Sequence, residues 1–176
     1  MSPHSPSPIG SDETRTNSAG ITVRIQAEDF DAGREIAALT EGNGNAGAVV
    51  TFTGLCRDED GRLAALELEH YPGMAEAEIT RIAEEACRRW PLGGLTVIHR
   101  HGRIVPGANI VLVVAVSRHR RAAFEAAEFL MDYLKTRAPF WKKEHLRDGG
   151  DGGWVDARDS DTRDADRWTA ARPVDP

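Results

Sequence analysis

The chain has 176 residues, of which 40% are hydrophobic, and its formal net charge is −6 at pH 7. The length fits one domain, the hydrophobic share suffices for an ordinary core, and the acidic balance argues against non-specific nucleic-acid binding by the whole protein. The two cysteines, Cys56 and Cys87, are too few for a disulfide framework and lack the spacing of a zinc site, which indicates a reducing compartment.

Residues 1–20 are rich in Ser, Pro, Asn, Thr and Gly and show no apolar period, so we expect them to be disordered. They also lack the apolar segment of a signal peptide. No apolar run approaches the roughly 20 residues that span a bilayer. The sequence therefore predicts a soluble, cytoplasmic protein without membrane contact.

The first half of the chain predicts three strands and two helices. Alternating or β-branched runs indicate strands at 21–25, 47–54 and 63–70, and a short helix is expected at 30–39. A second helix carries apolar residues at helical spacing up to Trp90 and ends at Pro91. We expect the strands at 47–54 and 63–70 to pair as a hairpin whose loop carries Arg57.

The second half predicts strands at 95–99 and 110–116, the latter at the centre of a sheet because it is almost wholly apolar. A helix beginning near Ala122 should end near Arg137, since Pro139 disfavours helical geometry in the residue before it. We expect this helix to turn four residues to the core: Phe124, Ala127, Met131 and Leu134. A short strand at 154–158 completes an α+β domain with a mainly antiparallel sheet.

Charge is unevenly distributed along the chain. Residues 117–147 hold eight Lys or Arg and four acids, a net +4, whereas residues 148–176 hold eight Asp and four Arg, a net −4. We expect the tail at 159–176 to be mobile. A basic patch in an acidic protein favours a small anionic substrate or an acidic peptide over a polyanion.

Lys135 and Lys142 are the leading candidates for chemistry, because a lysine among other cations gives up its proton more easily and becomes fit for acid–base or nucleophilic work. Three other arrangements remain open for this basic segment. The two lysines only neutralise an anion, or they are solvated cations beside a capped helix, or the segment stacks single-stranded nucleic acid on Phe140 and Trp141.

Four further groups of residues have a functional and an ordinary interpretation. His119 and Arg120 open a helix, where phosphate binds readily, but the run from Arg118 to Arg121 also fits a solvated loop. Arg57 follows a buried strand, and its side chain either reaches a functional cleft or is an exposed charge in a hairpin loop. Cys56 is a weak candidate for a thiol nucleophile. The spacing of the histidines at 99, 101 and 145 argues against a metal site.

Several motifs, taken together and in order, resemble one known family. They are Gly47–Gly54 with Arg57, Leu68–Met74, Arg89–Leu92, Val97–Arg100, His119-Arg120 with Ala123–Glu125, and Met131–Lys142. This set resembles the large, catalytic subunit of molybdopterin synthase from about Ile21 to about Trp168. The resemblance implies an α/β-hammerhead fold over residues 21–158, a central homodimer, and a small subunit docked at each end of a heterotetramer.

The resemblance also implies an activity. The family transfers two sulfurs from a small ubiquitin-like subunit, whose C-terminal Gly-Gly ends in a thiocarboxylate, to cyclic pyranopterin monophosphate, with no metal or other cofactor. By residue matching, Lys135 and Lys142 are the active-site lysines. Arg57, His119 and Arg120 hold substrate, and Arg158 does so across the dimer. Two other classes of protein remain open, a non-catalytic module that binds the Gly-Gly tail and a basic-patch RNA binder.

Overall fold

The protein was analysed as a computed structural model that describes residues 13–16, 20–155 and 159–169. The strands are β1 (Glu13–Thr16), β2 (Ile21–Gln26), β3 (Ala48–Leu55), β4 (Leu63–His70), β5 (Leu92–Arg100), β6 (Gly102–Ile104), β7 (Asn109–Ser117), β8 (Phe140–Leu146) and β9 (Asp151–Val155). The helices are α1 (Ala32–Thr40), α2 (Met74–Arg89), α3 (Arg120–Thr136) and α4 (Asp159–Asp166).

The strands form two sheets. The larger has the order β1-β2-β5-β7-β3 and the smaller has the order β6-β4-β8-β9. Every adjacent pair is antiparallel except β2 and β5, which run parallel. The predicted α+β class with a mainly antiparallel sheet is therefore confirmed.

The main core lies between the larger sheet and helices α2 and α3. Strands β2, β5 and β7 contribute Ile, Val, Leu and Ala side chains, which pack against Ile79 and Ile82 of α2 and Phe129 and Leu130 of α3. Helix α1 covers the opposite face of the sheet. Strand β7 is interior and almost fully buried, as its apolar sequence predicts, although β5 is the central strand of the five.

The predicted hairpin of β3 and β4 is wrong, because the two strands belong to different sheets. Strand β3 pairs with β7, whereas β4 pairs with β6 and β8. The chain leaves the larger sheet after an irregularity at Gly54/Leu55. There Cys56 exchanges backbone hydrogen bonds with the turn at Gly107 and Ala108, which redirects the chain toward the smaller sheet.

Other elements also differ from the expectations. Strand β1 lies within residues 1–20, which we expected to be disordered, and neither helix α4 nor strand β8 was predicted. Phe124 is 62% exposed and does not face the core. The buried stripe of α3 instead runs through Ala122, Ala126, Phe129 and Tyr133, so Phe124 lies outside it.

Helix α3 ends where the sequence predicts, at Thr136. The N–H of Arg137 still donates to the carbonyl of Tyr133, and Pro139 then starts the extended chain that becomes β8. Lys135 therefore lies at the end of a helix, whereas Lys142 and Lys143 lie on the strand that follows it. Among the described residues, no helix is long and apolar enough to cross a membrane.

Candidate active site

A cavity of about 670 Å³ opens where the end of α3, the start of β8 and the end of β3 meet. Its walls are mostly apolar and include Phe52, Leu55, Ile110, Val111, Met131, Leu134 and Phe140. Of the described residues, three cations line it, namely Arg57, Lys135 and Lys142, and none of its described lining residues is acidic. This volume suits a small molecule, and the walls suit an anion held against an apolar surface.

The two lysines reach this cavity from different elements. Lys135 is exposed in the last turn of α3, where a cation interacts favourably with the helix dipole. Lys142 is half-buried on β8 and lies opposite Leu68 of β4 and Val155 of β9. The reversal of the chain at Pro139 therefore brings together two cations that are seven positions apart in sequence.

Neighbouring residues of β8 alternate between the two faces of the smaller sheet. Phe140 and Lys142 share one face and line the cavity, whereas Trp141 and Lys143 belong to the other. Trp141 is 49% exposed, and the Nζ of Lys143 lies 3.2 Å from a carboxylate oxygen of Asp151. Lys143 is thus a neighbouring lysine outside the cavity.

Arg57 lies just beyond β3 at the rim of the cavity and is largely exposed. Its guanidinium donates two hydrogen bonds to one carboxylate oxygen of Glu59, at 3.0 Å from Nε and 2.5 Å from Nη2. These bonds raise the pKa of Arg57 above its ordinary value. An anion that binds Arg57 must therefore share it with Glu59 or displace that carboxylate.

Cys56 lines the cavity floor but is only 3% exposed. Burial raises the pKa of its thiol above the ordinary value, which disfavours the thiolate that nucleophilic attack requires. Its Sγ lies 3.8 Å from the carbonyl oxygen of Ile104 within a small apolar cluster. Cys56 therefore fits packing better than catalysis.

His99 also lines the cavity, whereas from the sequence we weighed it only as a metal ligand. It ends an apolar row on β5, is 6% exposed, and stacks on Phe140 with ring centroids 3.8 Å apart and planes 18° apart. Burial lowers the pKa of His99 to about 4, and its electrostatic interactions with Lys142, His70 and His101 act in the same direction. The imidazole is consequently neutral near pH 7.

His119 and Arg120 lie at the opposite end of α3 from Lys135 and are not among the cavity residues. Since a helix rises ~1.5 Å per residue, Arg120 and Lys135 are roughly 22 Å apart along the axis. One small ligand cannot touch both within a single chain. Arg158, the remaining predicted site residue, lies outside the described residues.

The sequence also did not predict that apolar side chains would form the walls of this cavity. Met131 and Leu134 follow the helical period of α3 and so were predicted as core residues, yet both line the cavity near the end of the helix. Phe52 is 39% exposed on β3. Among the described residues, no group of three or more His, Cys, Asp or Glu side chains is arranged to hold a metal ion.

Comparison with known proteins adds independent information. A family model described as "MoaE protein" matches residues 25–137. The molybdopterin synthase catalytic subunit of Mesorhizobium japonicum is 72% identical over 150 residues, which cover 85% of this chain and 94% of that protein.

Solved structures agree with this match. The molybdopterin biosynthesis MoaE protein from Burkholderia ambifaria has a TM-score of 0.72 at 49% identity, covering 85% of this chain and 98% of that one. The molybdopterin synthase structure from Staphylococcus aureus has a TM-score of 0.68 at 32% identity, covering 75% of this chain and 95% of that one.

Proposed function

The chain belongs to the MoaE protein family, and we propose that it is the catalytic subunit of a molybdopterin synthase in molybdenum cofactor biosynthesis. The reaction we assign to it is the transfer of two sulfurs to cyclic pyranopterin monophosphate. The donors are the C-terminal thiocarboxylates of two small ubiquitin-like subunits, each of which gives one sulfur and is released by water as a carboxylate. The product carries the two sulfurs as a dithiolene.

The observation that carries this proposal is the cavity that gathers Arg57, Lys135 and Lys142, with no acid among the described residues of its lining. Both reactants are anions, a phosphate ester and a thiocarboxylate, and they repel each other in water. Fixed cations remove that repulsion and hold the reacting atoms close together. Once bound reactants fill this space, its apolar walls exclude water and strengthen each charge interaction.

Within this cavity we assign different work to the arginine and to the two lysines. Arg57, at the exposed rim, binds the substrate phosphate in competition with Glu59. Lys135 and Lys142 neutralise the thiocarboxylate and transfer protons as its sulfur attacks the substrate. The extended Gly-Gly tail enters along the apolar wall, where the absence of side chains lets its backbone approach closely.

A second copy of the chain supplies the remaining cations. His119 and Arg120 are too far from Lys135 to serve the same site within one chain, so we assign them to the site of a partner copy. Strand β3 supports this arrangement, because among the described strands it pairs only with β7, and it presents Val49 and Leu55, which are 38% and 56% exposed. An open, apolar edge strand favours association. Arg158 remains a prediction for the same intersubunit contact.

The test is a reconstitution from the purified chain, a thiocarboxylated small subunit and cyclic pyranopterin monophosphate, with the dithiolene product assayed. Lys135→Ala and Lys142→Ala should each lower the rate about a hundredfold or more, on the scale of lost acid–base catalysis. Lys143→Ala is the matched control, since this lysine lies outside the cavity and pairs with Asp151.

Two results would contradict the assignment. Near-normal turnover in both cavity variants would remove the lysines from the mechanism. Tight binding of the small subunit by the unaltered chain without any product would instead favour the non-catalytic module that binds a Gly-Gly tail.

A further inference from the structure

His99 holds a fixed tautomer inside the cavity. Its Nδ1 lies 2.9 Å from the carbonyl oxygen of Arg100. A carbonyl oxygen only accepts hydrogen bonds, so Nδ1 carries the ring proton and donates it. Because the buried ring is neutral, Nε2 keeps a lone pair and acts as an acceptor. The structure thus places one neutral imidazole acceptor in a cavity whose charged lining residues, within the described part of the chain, are cations.

The surroundings of His99 connect this acceptor with Lys142. The ring of His99 stacks on Phe140, which is two residues before Lys142 on the same face of β8. His70 of β4 pairs with Phe140 in the sheet register, and its ring lies 4.7 Å from that of His101. The charge of Lys142 is close enough to act on the imidazole.

The side chains that act on the pKa of His99 include no carboxylate among the described residues. The titratable groups acting on His99 are Lys142, His70 and His101, and the cavity adds Lys135, Arg57 and the thiol of Cys56. A neutral imidazole at this point provides a lone pair for an ammonium group without adding a negative charge that would repel the anionic reactants.

We propose that His99 is a positioning residue for sulfur transfer, whose Nε2 accepts a hydrogen bond from the Lys142 ammonium while its ring fixes the start of β8 through Phe140. The inference rests on the proposed function only for the role of Lys142 in turnover. The pairing of His99 with Lys142 is testable in the protein alone.

The test compares three variants. His99→Phe keeps an aromatic ring against Phe140 but removes the acceptor, and His99→Gln places an amide oxygen near the position of Nε2. His101→Gln is the control, because His101 is a neighbouring histidine outside the cavity lining. Thermal unfolding of each variant establishes that it is folded before any other comparison is made.

The first readout needs no substrate. Trace labelling of Lys142 with acetic anhydride, followed by mass spectrometry across a pH series, reports how readily its ammonium loses a proton. Loss of a hydrogen bond to the charged form should make His99→Phe label about tenfold faster than the unaltered chain at pH 8. His99→Gln should lie near the unaltered chain, and His101→Gln should match it.

The second readout is turnover in the reconstituted synthase. We expect kcat to fall about tenfold in His99→Phe with little change in KM, a shifted pH–rate profile, and recovery in His99→Gln. Unchanged labelling in His99→Phe, or His99→Gln behaving like His99→Phe, would overturn the proposal. If the unaltered chain makes no product, the proposed function fails, and labelling still decides whether His99 holds Lys142.

Discussion

Glu59 limits how strongly Arg57 attracts an anion into the cavity. The pair is exposed, so water and salt screen it, and the carboxylate competes directly with any phosphate for the same guanidinium. Glu59 has a positive φ of 48° in the loop that follows Arg57, a conformation in which asparagine and glycine are more common. The loop thus holds an acid against the cation at the cavity rim.

Glu59→Gln should bind the anionic substrate more tightly. We expect KM to fall about twofold to threefold with kcat unchanged, an effect typical of one exposed ion pair and one that shrinks as salt is added. Steady-state kinetics at two salt concentrations measure it. Glu41→Gln, at the exposed end of α1, is the control, and an unchanged or higher KM in Glu59→Gln would refute the competition.

His99 also makes stability depend on pH. Its pKa is about 4 in the folded chain, against 6.5 as its ordinary value. Between these values the unfolded chain binds more protons than the folded one, so the contribution of His99 to stability is complete above pH 6.5 and is lost as the pH falls toward 4.

Urea unfolding at pH 7.5 and pH 5 tests this dependence. Between these two pH values the unaltered chain should lose about 2 kcal/mol more unfolding free energy than His99→Phe, which has no imidazole to protonate. Only the difference between the two losses is compared, because other groups titrate in both proteins. Equal losses would mean that His99 is not buried in its neutral form.

At the scale of elements, α3 is held at its C-terminal end by the chain that follows α4. The ring of Trp168 lies edge-on to Trp90 and Phe129, with centroids 5.6 Å away in each case. Its Nε1 donates to a carboxylate oxygen of Asp132 at 2.7 Å, and Arg167 pairs with the same oxygen at 2.6 Å. Asp132 lies about one turn before Lys135, so these contacts support the helix end that carries a cavity lysine.

Trp168→Ala should therefore destabilise the protein by about 3 kcal/mol, the lower range for losing a large packed aromatic side chain. Trp154→Ala removes a ring that is 55% exposed on β9, and we expect a change of about 0.5 kcal/mol or less there. Chemical denaturation of both variants compares the two tryptophans. Equal stabilities would show that Trp168 is not part of the packed structure.

At the scale of the whole molecule, one chain contains an incomplete set of cations. The cavity holds Arg57, Lys135 and Lys142, while His119 and Arg120 lie at the far end of α3. In the proposed two-fold symmetric pair, two identical sites form and each chain serves both. On this proposal, assembly is a condition for activity.

Val49→Lys should disrupt that pair, because it places a charge beside the open edge of β3. We expect light scattering to give the mass of a dimer for the unaltered chain and that of a monomer for the variant. Met74→Lys is the control, since Met74 is 55% exposed at the start of α2, outside the larger sheet. A dimeric Val49→Lys would exclude this edge as the interface.

Complementation between two inactive variants tests whether the sites are shared. A chain that carries both His119→Ala and Arg120→Ala is mixed with a Lys135→Ala chain, and the two are allowed to exchange subunits. Each mixed dimer should then contain one intact site, which gives about a quarter of the unaltered activity after random pairing. No recovery, although mixed dimers are present, would place His119 and Arg120 at the site of their own chain.

The sequence predicted those elements whose signals are local. The helical period and Pro139 located α3 to within two residues, and the apolar run at 110–116 identified an interior strand. It also singled out Arg57, Lys135 and Lys142, which the fold brings to one cavity. Their roles in catalysis remain predictions that the variants above test.

What the sequence left undetermined depends on contacts between distant residues. Alternation in β3 and β4 predicted strands but not their partners, because a strand can pair with any complementary edge and nearness in sequence is only one guide. Strand β8 was missed because its run of charged residues shows no apolar alternation, although the fold leaves most of the strand half-buried. Phe124 was misplaced because the helical period alone does not say which stripe of α3 meets the sheet.

The sequence by itself determined the class of the fold, the bounds of the main helices and the cations that chemistry would need, since backbone preference, helical spacing and charge are properties of short stretches of chain. Only the tertiary structure decided which strands share a sheet, that His99 is neutral with a defined tautomer, and that His119 and Arg120 lie far from Lys135. These properties depend on burial and distance, which arise when segments far apart in sequence pack together.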